Sequence, residues 1–350
     1  MDASGPQPSS TSGSRSRRRP LVAIGVAALT IVVVALAGYL TIGALAYREL
    51  SALQPQAGGR WEDQTPANFE ARIDATSGAP WLDASPYRFD DFTEVAFPSR
   101  DARPLTIRAW YAPTAAGVDA PVVVVVHGKG ASHRDPVVLL PAGMLHRAGF
   151  AVLMPDLRDH GDSDVEDMRW AGGAEEYLDV LGAVDWLVAQ GYEPDRIGLM
   201  GSSLGAATVT IAMGEEPAVA ATWADSAYSD FDVAAEEYTE NGGYPGWVTG
   251  AGVFVGRIMS GDPLGDHDPA RALARLSGRP YAIVHCDADR TVYVHHADDN
   301  AAIAAAAGTE VTPWILPGCG HVDAMFVAPD EYERRLLAFF TDALGAPIAR

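Results

Sequence analysis

Ile197-Gly198-Leu199-Met200-Gly201-Ser202-Ser203-Leu204-Gly205 is the stretch on which the reading of this chain turns. It begins as a short apolar run of strand character and breaks into a G-x-S-x-G string, Gly201 to Gly205. A small, apolar segment then runs on to residue 213, as a helix buried against a sheet should. The order has a mechanical meaning. A sharp strand-to-helix turn lifts the central serine above a sheet, and small residues two positions either side let the backbones pack closely. The helix that starts there aims its N-terminus at the serine, which favours developing negative charge. As a bare string G-x-S-x-G is weak, because turns use both residues. Between a strand and a helix it marks Ser203 as a nucleophile, with Ser202 one residue off the apex.

On both sides of this turn, short apolar runs alternate with helix-like stretches, the signature of a mostly parallel sheet wrapped by helices. Residues 92–97 and 105–111 flank a turn-like segment and suggest an opening hairpin. Further strands are expected at 122–126, 151–154, 197–200, 218–223, 281–284 and 311–316. Five valines in succession at 122–126 fit a central strand buried on both faces, not an alternating, half-exposed one. Amphipathic spacing predicts a helix over 175–189, and 332–344 closes the domain with another. In sheets of this kind the ligand site lies at the carboxyl ends of the strands.

Three positions after strands therefore matter. The valine run ends in His127-Gly128-Lys129-Gly130, so the oxyanion donors expected are the backbone N–H of Leu204, after the nucleophile, and that of Lys129. His127 reads as a loop histidine bonded to backbone. A serine needs a neutral imidazole to take its proton and a carboxylate to orient that imidazole. His321 follows the last strand in a Gly-rich turn, Pro317-Gly318-Cys319-Gly320-His321, and is the expected base. His160 precedes the serine, which the order Ser…Asp…His excludes. For the acid, Asp287 and Asp289 both follow the strand at 281–284, and Asp225 follows the one before it. Spacing leaves these open. His295 and His296 near Asp298 and Asp299 read as a solvated helix surface without a third ligand, so no metal and no cofactor are assigned.

Composition bounds the rest. The net charge of -21 argues against nucleic acid, which needs a basic face. Arg15, Arg17, Arg18 and Arg19 precede an uncharged, mostly apolar run over 21–47. About 20 apolar residues cross a bilayer as a helix, and a positive N-terminal flank stays cytoplasmic. The run thus reads as a transmembrane signal anchor with everything after Arg48 outside. A cleaved signal peptide is the competing reading, since residues 35–37 and 44–46 are both Ala-Leu-Ala, but the run outlasts an h-region of about 7–15 residues. Residues 1–20 read as a disordered cytoplasmic tail and 48–85 as a linker with a short packing segment. Residues 86–350 form the α/β domain, with a small cap at about 229–275.

The motifs Val126-His127-Gly128, Asp156-Leu157-Arg158-Asp159-His160-Gly161-Asp162-Ser163, Gly201 to Gly205, His285-Cys286-Asp287-Ala288-Asp289-Arg290-Thr291-Val292 and Gly318-Cys319-Gly320-His321 together resemble the α/β-hydrolase superfamily. The likeness is to serine aminopeptidase-like and prolyl-oligopeptidase-like bacterial hydrolases, and it covers about residues 90–345. In that family the stretch after the penultimate core strand commonly reads H-G-x-x-D-x-x-V-P, and its Asp is the triad acid; the resemblance implies Asp289. Four positions depart from the pattern: Cys286 and Tyr293 replace the usual glycine and proline, Cys319 replaces a small residue, and Asp159 stands where Gly or Asn is commoner. The two cysteines fall beside the implied acid and the base, and a Cys286–Cys319 disulfide is expected to tie those loops, as suits an oxidising exterior.

The resemblance implies an α/β-hydrolase fold and acyl transfer to water. Cleavage of carboxyl esters or thioesters is expected, with peptidase action on small peptides as runner-up, since one triad supports both. The reading from another class is an envelope binding protein of the same fold without turnover, against which a complete triad argues.

Overall fold

The computed structural model describes residues 1, 5, 18–53, 61–71, 82–103, 105–259 and 263–347. The disordered tail expected over 1–20 lies almost wholly outside them. The apolar N-terminal run forms a helix, α1 (Arg18–Ser51), longer than the expected span because it continues into Arg48–Ser51. Next come a hairpin of β1 (Thr93–Pro98) and β2 (Thr106–Ala112), then β3 (Val122–Val126), α2 (Pro136–Arg147) and β4 (Ala151–Pro155). The chain goes on through α3 (Tyr177–Gln190), β5 (Ile197–Ser202), α4 (Leu204–Glu215) and β6 (Ala221–Asp225). Helices α5 (Phe231–Asn241), α6 (Trp247–Met259) and α7 (Pro269–Leu273) make the insertion expected as a cap. Then β7 (Tyr281–Cys286), α8 (His295–Ala306), β8 (Trp314–Leu316), α9 (Ala324–Val327) and α10 (Pro329–Leu344) complete the domain.

The strands form one sheet in the order β1-β2-β4-β3-β5-β6-β7-β8. The hairpin runs antiparallel to its neighbours, and every pair from β4–β3 to β7–β8 is parallel. The valine strand explains the two-sided core. Val123 and Val125 join one apolar layer with Leu140 and Met144 of α2 and Phe340 of α10. Val122, Val124 and Val126 join the opposite layer with Val184 of α3 and Val209 of α4. A strand buried on both faces has no use for alternation, which is why its sequence shows none. The chain moves from β3 to β4 on one side and returns to β5 on the other, so strand order reverses at β3/β5. That opens a crevice at their carboxyl ends.

Within 48–85, the segment expected as linker with a short packing piece, Phe69, Ala71 and Ala84 are buried with α2; just beyond it Tyr87 joins the same cluster and Arg88 donates to the Phe69 carbonyl at 2.8 Å. The cap holds a contact that the sequence did not suggest. Helix α6 lies directly on α1, where a Cβ on Gly43 would overlap Ala251 and Val255, and one on Gly256 would overlap the Tyr47 ring. Gly252-Val253-Phe254-Val255-Gly256 is a G-x-x-x-G spacing, which lets two helices approach to backbone contact.

Candidate active site

Ser203 occupies the turn between β5 and α4 with φ 56° and ψ -121°, a left-handed region that costs a non-glycine residue energy. The flanking glycines permit it. A Cβ on Gly201 would strike the Gly205 backbone, and one on Gly205 would strike the Val126 and His127 carbonyls. Leu204 opens α4, so its N–H has no carbonyl within the helix to bond and faces outward from the first turn.

His321 follows β8 and places Nε2 2.7 Å from Ser203 Oγ, while its Nδ1 lies 2.7 Å from Asp289 Oδ2. Asp289 is fully buried and His321 partly open, at 0% and 22% side-chain exposure, so the carboxylate lies behind an imidazole that solvent can reach. The Thr291 and Val292 N–H groups donate to Asp289 Oδ1 at 2.8 and 3.0 Å. Burial would raise this carboxyl, but hydrogen bonds from His285 and His321 outweigh it and hold it well below the usual range. The other two carboxylates left open by spacing lie elsewhere. Asp287 Oδ1 accepts from the Gly318 N–H at 2.6 Å. Asp225 is buried under Tyr332, whose hydroxyl donates at 2.9 Å, and burial pushes it up to about 6.

His285 is a partner the sequence reading quoted only as part of a motif. Its Nε2 lies 2.9 Å from the Val292 carbonyl and 3.4 Å from Asp289 Oδ2. Burial lowers its affinity for a proton, yet these acceptors raise it overall. The H-x-x-x-D spacing was the available signal.

Cys286 and Cys319 are joined by a disulfide with Cα atoms 5.2 Å apart. It binds the loop carrying Asp289 to the turn carrying His321. Replacing both cysteines by serine is expected to cost roughly 2–4 kcal/mol, as cross-linking a loop of this length does. Urea unfolding with and without reductant checks this: wild type plus dithiothreitol should match the double variant.

The loop after β3 is braced by two imidazoles. His127 has Nδ1 2.7 Å from the Gly128 carbonyl, and its Nε2 accepts the Leu157 N–H at 3.0 Å. His160 has Nδ1 2.7 Å from the Arg158 carbonyl, and its Nε2 accepts the Gly130 N–H at 3.1 Å. Burial lowers both, keeping them neutral, and a neutral Nδ1–H tautomer supplies the one donor and one acceptor each position requires. A Cβ on Gly128 would sit 3.3 Å from Ser203 Cβ, so this loop reaches Ser203.

The Lys129 ammonium turns away from the serine. It donates to the Leu50 carbonyl at the end of α1 at 3.0 Å and lies 4.4 Å from the Trp170 ring centre; burial pushes it down to about 8. Trp170 donates its indole N–H to the same carbonyl at 2.6 Å. Asp159, the departure noted above, has φ 62°, a conformation that short polar side chains tolerate. Its Oδ1 accepts the N–H groups of Glu166, Asp167 and Met168 at 2.7, 3.1 and 2.9 Å, and the Met168 carbonyl accepts from Leu53 at 2.9 Å. None of this docking of α1 was visible in the sequence.

Among the described residues, two side-chain groups have ligand types that a metal ion uses. The structure supplies the third ligand that the sequence lacked for His295 and His296, namely Glu237. Glu237 already bridges both rings at 2.6 and 3.1 Å, fastening the cap helix α5 to α8. His133, Asp156 and Asp162 form the other group, with the Arg134 guanidinium 2.8 Å from Asp162.

A profile of the family described as X-Pro dipeptidyl-peptidase (S15 family) matches residues 79–304. That span includes Ser203 and Asp289 and stops before His321. Among solved structures, the Pyrococcus furiosus esterase Pf2001 superposes with a TM-score of 0.58 at 20% identity, covering 76% of this chain and 98% of its own. The Pyrococcus horikoshii acylaminoacyl peptidase gives 0.54 at 18% identity over 72% of this chain and 41% of its own. A puromycin-hydrolyzing peptidase of Mycobacterium tuberculosis gives 0.59 at 19% over 74% of this chain and 40% of its own. No curated protein sequence matches.

Proposed function

The chain belongs to the X-Pro dipeptidyl-peptidase (S15) family and is a serine hydrolase of the α/β-hydrolase fold; from that premise we propose a membrane-anchored, extracytoplasmic enzyme that cleaves carboxyl ester or thioester bonds through Ser203, His321 and Asp289. The observation that carries this reading is the unbroken hydrogen-bonded path from Ser203 Oγ through His321 to Asp289. Ser203 Oγ attacks the carbonyl carbon while His321 Nε2 takes its proton, and Asp289 holds Nδ1–H and stabilises the imidazolium. The Leu204 and Lys129 N–H groups receive the oxyanion. His321 then protonates the departing alcohol or thiol, and a water repeats the sequence on the acyl-enzyme.

Apolar surroundings favour esters. Ala207, one helical turn past Ser203, clusters with Tyr228, Phe231, Val253 and Val292, which suits an acyl chain better than a charged peptide terminus. The family match favours release of short peptides as the second reading. Anchoring is supported by the apolar span Leu21–Ser51, whose most apolar window is uncovered by the rest of the protein. Signal cleavage after residue 46 would strip Gly43 from its seat on α6, so the docking favours retention. The disulfide suits the oxidising side of a membrane.

Fluorophosphonate labelling of the full-length protein tests the chemistry, and initial rates on p-nitrophenyl esters beside X-Pro-p-nitroanilides test the bond. Labelling with faster ester turnover is expected; faster nitroanilide release would move the assignment to peptidase. The oxyanion role of Lys129 is tested by Lys129→Pro, which removes the N–H and is expected to lower kcat by about 10²–10³. Lys129→Met keeps the N–H and should lose far less.

A further inference from the structure

A cap helix on a water-soluble domain keeps polar residues on its outer face. Helix α6 does not. Its 13 residues include no acid and one base, Arg257, and Trp247, Phe254 and Ile258 are 53%, 47% and 65% exposed. Its other side lies on α1 through Ala251, Gly252, Val255 and Gly256, and the Phe254 and Tyr39 rings are 6.3 Å apart.

Depth along α1 locates this contact. At 1.5 Å per residue, a hydrocarbon core of about 30 Å entered at Leu21 is left near residue 40. Helix α6 meets α1 from Tyr39 to Tyr47, at the outer boundary, where aromatic rings are favoured. The first charges beyond the boundary, Arg48 and Glu49, are exposed. The apolar surface of α6 therefore continues that of the anchor at one level.

We propose that α6 lies in the outer leaflet beside α1 and that the enzyme draws its substrates, acyl esters dissolved in the bilayer, through the apolar seam between these helices. The proposal rests on the anchored serine-hydrolase reading and names its substrate class. A small apolar cleft lined by Tyr47, Leu50, Trp170, Phe231, Val253 and Leu264 lies where α1 meets α6. Its wall includes Trp170, whose ring centre lies 4.4 Å from the Lys129 ammonium. Phe231 and Val253 share a cluster with Ala207 and Val292, and Val292 donates to Asp289. Buried apolar side chains thus run in continuous packing from the anchor to the catalytic residues, and they part to seat an acyl chain whose carbonyl sits at Ser203.

The test uses the full-length protein in phosphatidylcholine vesicles. A nitroxide on Ile258→Cys should collide with dissolved oxygen more than with a water-soluble nickel chelate, and one on Glu240→Cys should do the reverse. Phe254→Asp with Ile258→Asp should cut turnover of a vesicle-embedded long-chain fluorogenic ester by about tenfold or more, because charge opposes insertion. Turnover of p-nitrophenyl acetate should not change. Nickel access at 258, dipolar broadening from a second copy packed on α6, or equal loss on both substrates would each overturn the proposal. A wild type that hydrolyses neither ester and takes no fluorophosphonate defeats the hydrolase reading, and with it the substrate class, while the accessibility at 258 still reports the helix placement separately.

Discussion

Ser203→Ala is expected to lower kcat by about 10⁶-fold and to abolish fluorophosphonate labelling, the largest effect of any single replacement in this protein. In the proposed mechanism the Oγ is the atom that bonds to the acyl carbon, and no neighbour can take its place. Ser202 ends β5 in a buried position, one residue from the apex, so Ser202→Ala should leave labelling intact. A residual acceleration of about 10³–10⁴ over water should survive, because the oxyanion donors remain. Folding should be unaffected, since the Oγ bonds only to His321 in this site and alanine bears the same backbone strain. Matched thermal unfolding of wild type and variant, beside single-turnover kinetics, checks both halves. Full labelling of Ser203→Ala would remove the nucleophile assignment.

Asp289→Asn ranks second, with an expected loss in kcat of about 10⁴ and little change in KM. The replacement is nearly isosteric, and one amide oxygen can still accept the Thr291 and Val292 N–H groups that now bond to Oδ1. The amide NH₂ then faces His321 Nδ1, which must become an acceptor. Nε2 in consequence carries the proton and cannot take one from Ser203. Asp287→Asn and Asp225→Asn should cost much less, since neither carboxylate bonds to His321; a comparable loss in either would move the acid. The pH dependence has a definite sign. The folded-state affinity of Asp289 for a proton is depressed, so the stability its pairing contributes is complete above the ordinary aspartate range, about 3.9. It is lost as pH falls through the lower folded value. The difference in urea midpoint between wild type and Asp289→Asn should therefore be flat above about pH 5 and shrink in stronger acid.

Much of the fold could be read from local pattern. The valine run, the G-x-S-x-G turn and the Gly-rich turn before His321 each carry their constraint within a few neighbours: two-sided burial, backbone collision at Gly201 and Gly205, and a strand end that must reverse. Such constraints act on residue type directly, so they leave a mark in the order of residues. The choice among Asp225, Asp287 and Asp289 carries no such mark. All three follow strands, and composition treats them alike; resemblance implied one, and it is β7–β8 pairing that brings one of them to His321.

The anchor makes the same division sharper. Length and hydropathy were enough to recognise residues 21–47 as an apolar helix, because both are properties of a continuous segment. That its last turns seat on α6, and that the Leu50 carbonyl receives Lys129 and Trp170, joins residues 79 and 120 positions apart. Each partner is unremarkable alone: a glycine among alanines, a lysine among glycines, a tryptophan in a loop. Contacts of that separation depend on chain closure and on the shape of both surfaces, which periodicity does not encode, so only the folded chain could reveal them.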